Sequence, residues 1–258
     1  SYVKVCLPVL ISHVVLDLLT SYGTMVFSPF SDHRYSWDLL FIIDFIFSGI
    51  IVLSLLIGLF LKKKAAWVCR GSLLALAFYL LFCWVQHREA ISLARGFAED
   101  LKEEILGVAS LPQPLSPFRW TNYVESRTSV YQGFVDLRIR ERPDRLPSTS
   151  LFERLDHLYD PPEQIRYQAW TKIPDSPWVN KALSAEGIRF YYWFARFPVV
   201  KSVTSNNGTH RVEFMDVRFL LPGLRLPFVY FVEFDESGRI RSEGFSSDGK
   251  EKDLSTRS

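Results

Sequence analysis

The chain has 258 residues and a formal net charge of +2. So slight a charge gives no footing for nucleic acid, which is set aside as a partner class. Residues 1–86 are strongly apolar and residues 87–258 carry the charge of ordinary soluble protein, a division that implies a membrane part followed by a soluble part.

The apolar pattern is already under way at Ser1, with no basic leader and no small-residue cleavage site. The chain is therefore read as a piece whose N-terminal portion lies upstream. Val3 to Thr20 is the first apolar segment, and it carries His13 and Asp17. Gly23 and Pro29 then break the pattern, so residues 21–37 are expected to form a polar, aromatic loop. Leu39 to Leu61 is nearly uninterrupted apolar sequence with Asp44 as its only charge. At about 1.5 Å per residue, such a helix spans a bilayer core of roughly 30 Å. Ala65 to Val85 is a further span, with Arg70 near its start able to snorkel to the interface. Between the two lies Lys62-Lys63-Lys64, which the positive-inside rule places in the cytoplasm.

His87 to Leu106 repeats apolar residues at three and four, as in an amphipathic helix that extends the preceding span or lies at the surface. GVASLPQPLSP follows at 107–117 and reads as a proline-rich linker. From Phe118 the period changes. TNYVESRTSVYQGFVDLRI reads as two strands, rich in β-branched and aromatic residues. Ser176-Pro177 starts a short helix that Gly187 closes. RFYYWFARFPVVKSVT and HRVEFMDVRFLL read as strands flanking Asn206-Asn207-Gly208, a hairpin signal. PFVYFVEFDESGRIRSEGF adds another pair with a turn at Ser237-Gly238.

The expected architecture is thus an α-helical membrane part of about three transmembrane helices followed by an antiparallel, β-rich α+β soluble domain. Residues 1–106 form the helical region with its trailing amphipathic helix. Residues 107–117 are the linker, 118–246 the β-rich domain, and 247–258 a disordered tail.

Few residues carry chemistry. Cys6, Cys69 and Cys83 lie in apolar segments without metal-type spacing and read as small hydrophobes. His13 and Asp17 are spaced i, i+4, about 40° apart around a helix axis, so both face one way. Imidazole and carboxylate so placed suit zinc, iron or manganese, and equally suit a plain pairing inside a bundle. Thr20 continues their face. Asp44, inside an apolar span, needs a partner: it reads as a further ligand, a base, a group that orients His13, or a hydrogen-bond donor's partner on a neighbouring helix. Asp38 reads as a solvated carboxylate at a helix start. Asp32, His33 and Arg34 suit either an anionic headgroup or a solvated turn, with the turn favoured.

HVVLDLLTSYGT followed by SPFSDHRYSWDLLFIIDF resembles the YdjM-type family, membrane-bound metal-dependent hydrolases linked by name to LexA and distantly like zinc-dependent phospholipase C. The shared pattern is H-x-x-x-D at His13 and Asp17, a turn over Thr20 to Thr24, Pro29-Phe30-Ser31, and Asp44 in the next span. RFYYWFARFPVV and MDVRF are similar to the tail of many members. The resemblance implies a multi-pass protein of the bacterial inner membrane with a divalent metal ion, zinc foremost, at His13 and Asp17. Asp44 would serve catalysis, and the substrate would be a phosphoester or lipid-like molecule of the bilayer. Family members carry further histidine and aspartate motifs upstream of H-x-x-x-D, and these positions lie outside this sequence. The competing reading is a non-enzymatic, membrane-anchored binding or sensing protein with an extracytoplasmic β-rich domain.

The lysine loop generates a topology prediction. A reporter fused after Ser258 should be active only outside the cytoplasm, and cytoplasmic activity would overturn the assignment.

Overall fold

The computed structural model describes residues 2–141, 156–206, 208–221 and 226–246. The expected disordered tail, 247–258, lies outside them. Three helices come first: α1 (Val3–Leu19), α2 (Phe45–Phe60) and α3 (Ala65–Asp100). The three lysines form a 3-10 turn, Lys62–Lys64, that joins α2 to α3. Among the described residues, one helix is long and apolar enough to cross a membrane, running over Lys62–Asp100 with its apolar stretch almost wholly uncovered by protein. α2 is shorter, entirely apolar apart from two serines, and buries no side chain.

The span expected from Leu39 is corrected at its start. Residues 39–44 are not helical, and α2 begins only at Phe45. Asp44 is the residue that begins it, its Oδ1 accepting from the Phe47 N–H at 2.7 Å. This cap satisfies a backbone donor that a helix start otherwise leaves open.

The span after the lysines and the amphipathic segment beyond it are one helix as far as Asp100, while the segment's expected end, Ile105 and Leu106, belongs to a strand instead. Along α3 a single stripe is buried: Tyr79, Cys83, Ala90, Ala94 and Ala98. Tyr79 and Cys83 pack with Leu19 and Leu40 from the α1–α2 side. Ala90 packs with Trp120 and Val135, and Ala94 and Ala98 with Val124. Three alanines on one face let the helix axis approach the sheet closely, and an aromatic and two valines fill the space between.

That sheet is antiparallel with strand order β1-β2-β3-β4: β1 (Ile105–Pro112), β2 (Arg119–Ser126), β3 (Ser129–Asp136) and β4 (Gln168–Thr171). The proline-rich linker is therefore overturned over residues 107–112, which pair with β2 from Gly107↔Glu125 to Pro112↔Trp120. β1 is an edge strand, where Pro112 is tolerated because no inner ladder bond is lost. Its end, Ala109 to Pro112, is buried.

Two helices follow, α4 (Pro177–Ala182) and α5 (Glu186–Phe194). Ser176 and Pro177 do open α4. Gly187 does not close it, because it lies inside α5 against Tyr230, whose hydroxyl a Cβ there would strike. RFYYWF is also helical rather than strand, part of a helix that presents Ile188 and Tyr191 to the core. Its aromatic run fits either state, and packing against the second sheet decides.

The second sheet has order β5-β6-β7-β8: β5 (Pro198–Asn206), β6 (Thr209–Asp216), β7 (Tyr230–Phe234) and β8 (Ile240–Phe245). The expected hairpin closes with Asn206 opposite Thr209, and Gly208 takes φ +73°. The turn before β8 uses Gly238 at φ +74°. One core spans both sheets, with Ala109, Leu111, Tyr123 and Val130 against Phe197, Val199, Met215 and Val229. Buried Gln132 on β3 stitches them, its amide donating to the carbonyls of Val217 (3.2 Å) and Leu220 (3.4 Å).

The alanine stripe makes a stability prediction. Ala94→Leu overpacks the α3–sheet contact and should destabilise by about 1–3 kcal/mol. Arg95→Leu, on the exposed side of the same turn, should change stability by less than about 0.5 kcal/mol. Thermal unfolding in detergent compares the two.

Candidate functional site

The structure brings His13 and Asp17 together as their spacing requires. Nε2 and Oδ2 lie 3.4 Å apart, with the two side chains 73% and 48% exposed. Two ligands at about 2.1 Å from a tetrahedral ion also lie about 3.4 Å apart, so the pair fits two corners of such a centre. No group of three or more His, Cys, Asp or Glu side chains able to hold a metal occurs among the described residues. Thr20, expected on the same face, turns back instead, its hydroxyl donating to the Asp17 carbonyl at 2.8 Å.

Asp44 does not join the pair. Beyond its cap to Phe47, its Oδ2 accepts from the Tyr79 hydroxyl at 2.8 Å. Both carboxylate oxygens are thus occupied, tying the start of α2 to α3. This is the hydrogen bond to a neighbouring helix that the sequence left open.

The densest polar constellation lies elsewhere, where the α1–α2 loop meets the β domain. Asp38 is buried, not solvated, and sits at φ +54°, a left-handed conformation that Asp tolerates better than most residues. Its Oδ1 and Oδ2 accept from Arg196 Nη1 and Nη2 at 2.7 and 2.8 Å. Arg196 Nη1 also donates to Ser36 Oγ. Burial works against the Arg196 charge, but the bonds and field of Asp38 outweigh it and hold the guanidinium above its ordinary pKa.

Behind Arg196 stands Asp216, at the end of β6 and 1% exposed. It accepts from the backbone N–H of Arg196 (2.9 Å), Phe197 (3.4 Å) and Arg218 (3.0 Å), and from Arg218 Nε (2.8 Å). Arg218 in turn donates through Nη1 to the Ser21 carbonyl at 3.0 Å. The loop is thus held at both ends, Ser21 by Arg218 and Asp38 by Arg196. The residues are those of ARFPVV and MDVRF, where single charges interrupt apolar runs. That interruption was the signal for their burial, and reasoning from the sequence passed over it.

Arg34 completes the junction. Its Nη1 donates to the Phe194 carbonyl at 3.2 Å, and its guanidinium lies 5.0 Å from the Trp193 ring centroid. Gly23, at φ +81°, backs the arginine, and a Cβ there would lie 3.0 Å from Arg34 Cβ. The glycine of the TSYGT turn therefore serves both the turn and the seating of Arg34.

Exposed apolar helices are joined here through a clamped loop to an antiparallel β domain, and one of them is long and apolar enough to cross a membrane. Residues 2–90 match the family model described as YdjM inner membrane protein, as the motifs from HVVLDLLTSYGT to Asp44 imply. No curated protein and no solved structure matches the chain.

Removing one partner of the clamp leaves the other charge buried and uncompensated. Arg196→Ala or Asp38→Ala should each destabilise by about 3 kcal/mol or more, and the double variant by less than their sum. Denaturant unfolding measures the cycle, and limited proteolysis should find the loop of residues 21–37 newly accessible in either single variant.

Proposed function

We propose that the protein is a membrane-bound, metal-dependent hydrolase in which His13 and Asp17 hold two positions of a divalent ion, zinc foremost. The observation that carries this reading is the 3.4 Å approach of Nε2 and Oδ2 on one exposed face of α1. The family match over residues 2–90 supports it. The ion's remaining ligands would come from outside the described residues. When bound, such an ion activates water and polarises a phosphoester or lipid-like substrate. Asp44 would act in this reading as a positioning residue, since capping α2 and receiving the Tyr79 hydroxyl sets the angle between α2 and α3.

The molecule would cross the bacterial inner membrane with α1, α2 and the first half of α3. A helix apolar all round and not buried in protein finds its partner in lipid, and this supports placing α2 there. The 16 residues of α2 reach only about 24 Å, so the residues flanking it and local thinning would complete the crossing. Lys62–Lys64 would face the cytoplasm and the β domain the opposite side.

A non-enzymatic anchor for the β domain is the second reading. The exposed, mutually paired His13 and Asp17, without a third candidate ligand among the described residues, favour it.

Metal content separates the two. Purified protein should carry zinc, His13→Ala should lose it, and Asp44→Asn should keep it. Equal metal in the parent and in His13→Ala would overturn the ligand assignment.

A further inference from the structure

Two cavities meet at the junction of loop and β domain. The first, about 290 Å³, is lined mainly by apolar side chains, among them Leu40, Phe41, Leu111, Phe219 and Leu221. The second, about 490 Å³, is more polar and more open, with Arg34, Arg196 and Arg218 on its wall beside His33 and Trp193. Ser21, Tyr22 and Arg218 line both, so the apolar cavity and the basic cleft are neighbours across a shared wall.

Their place in the chain matters. Ser21 and Tyr22 directly follow α1, and residues 40–42 lead into α2. The apolar cavity therefore opens where the exposed apolar helices end, and, resting on the membrane crossing proposed above, this would be the level of a bilayer surface. The three arginines of the cleft are not equivalent. Arg196 and Arg218 are neutralised by Asp38 and Asp216. Arg34 has a carbonyl and a ring for partners, and its Nε is buried with no hydrogen-bond acceptor. Asp32 also lines the cleft as its one carboxylate among the described lining residues, and it forms no ion pair with Arg34 within 4.0 Å. Burial, and then the positive charge of Arg218, push the Arg34 pKa down, as an unneutralised cation in such company requires.

We propose that the two cavities form one site for an anionic phospholipid of the bilayer, with an acyl chain in the apolar cavity and the phosphate against Arg34. An anionic oxygen in the cleft would form a charge-assisted bond with the part of the Arg34 guanidinium that faces it, since Arg34 lines the cleft without a carboxylate partner. The apolar cavity alone would accept any alkyl chain, and the cleft alone any phosphate. Their shared wall selects a molecule with both. This site does not depend on metal at His13 and Asp17.

The test uses the full chain, delipidated in neutral detergent. It is titrated with didecanoyl phosphatidylglycerol, didecanoyl phosphatidylcholine and inorganic phosphate, with binding read by native mass spectrometry. Phosphatidylglycerol should bind about tenfold more tightly than phosphatidylcholine, and inorganic phosphate more weakly than either. Arg34→Gln should bring phosphatidylglycerol down to the level of phosphatidylcholine, and Ile42→Trp, at the apolar cavity, should weaken both lipids. Equal affinity for the two lipids in the parent protein overturns the headgroup assignment, and this comparison needs no variant to fold. A preference that survives Arg34→Gln does the same. Inorganic phosphate binding as tightly as phosphatidylglycerol would mean a free-anion site, and unchanged lipid binding in Ile42→Trp would remove the acyl half.

Discussion

The Asp38–Arg196 ion pair governs how the two parts of this protein are related. A buried carboxylate and a largely buried guanidinium, joined by two bonds of 2.7 and 2.8 Å, fix a loop that would otherwise be free between two helices. Such a pair adds little net stability over a well-packed apolar substitute. Its effect is on geometry, because each charge accepts only one arrangement of the other. Asp216 extends this by fixing the backbone from which Arg196 projects, and Arg218 by holding the loop's opposite end at Ser21.

α3 supplies the second constraint. The same helix packs Tyr79 and Cys83 against the ends of the apolar helices and Ala90, Ala94 and Ala98 against the first sheet. The β domain is thus attached twice, through a helix face and through a charged clamp. The cavities lie beside the clamp, between the loop it holds and the β domain.

Much of this architecture was legible in the chain. The lysine turn, the apolar segment over the first part of α3, the Asn-Gly hairpin and the Ser-Pro helix start follow from local chemistry, and local chemistry wins where little protein packs against the segment. It failed where tertiary packing competes. GVASLP contains a proline and a glycine, yet it forms an edge strand because sheet and helix together bury it. RFYYWF reads as strand until the second sheet demands a helix across its face. In the candidate site, spacing correctly placed His13 beside Asp17. Asp38 was misplaced and the partner of Asp44 left open for a common reason: a carboxylate's partner can lie far along the chain, here Arg196 and Tyr79, and no window of sequence contains both.

The unbroken course of α3 has a consequence for how such a chain can change over time. A helix that is gripped on one face by a sheet at its far end, and by loop residues near its middle, keeps a rotational phase between them. One residue gained or lost in between would turn one grip about 100° relative to the other and shift it by about 1.5 Å. Length changes in this segment are therefore confined to near-whole turns, whereas the lysine turn at its other end is free of any such register. The six residues between the grips, Trp84 to Glu89, act as the molecule's gauge.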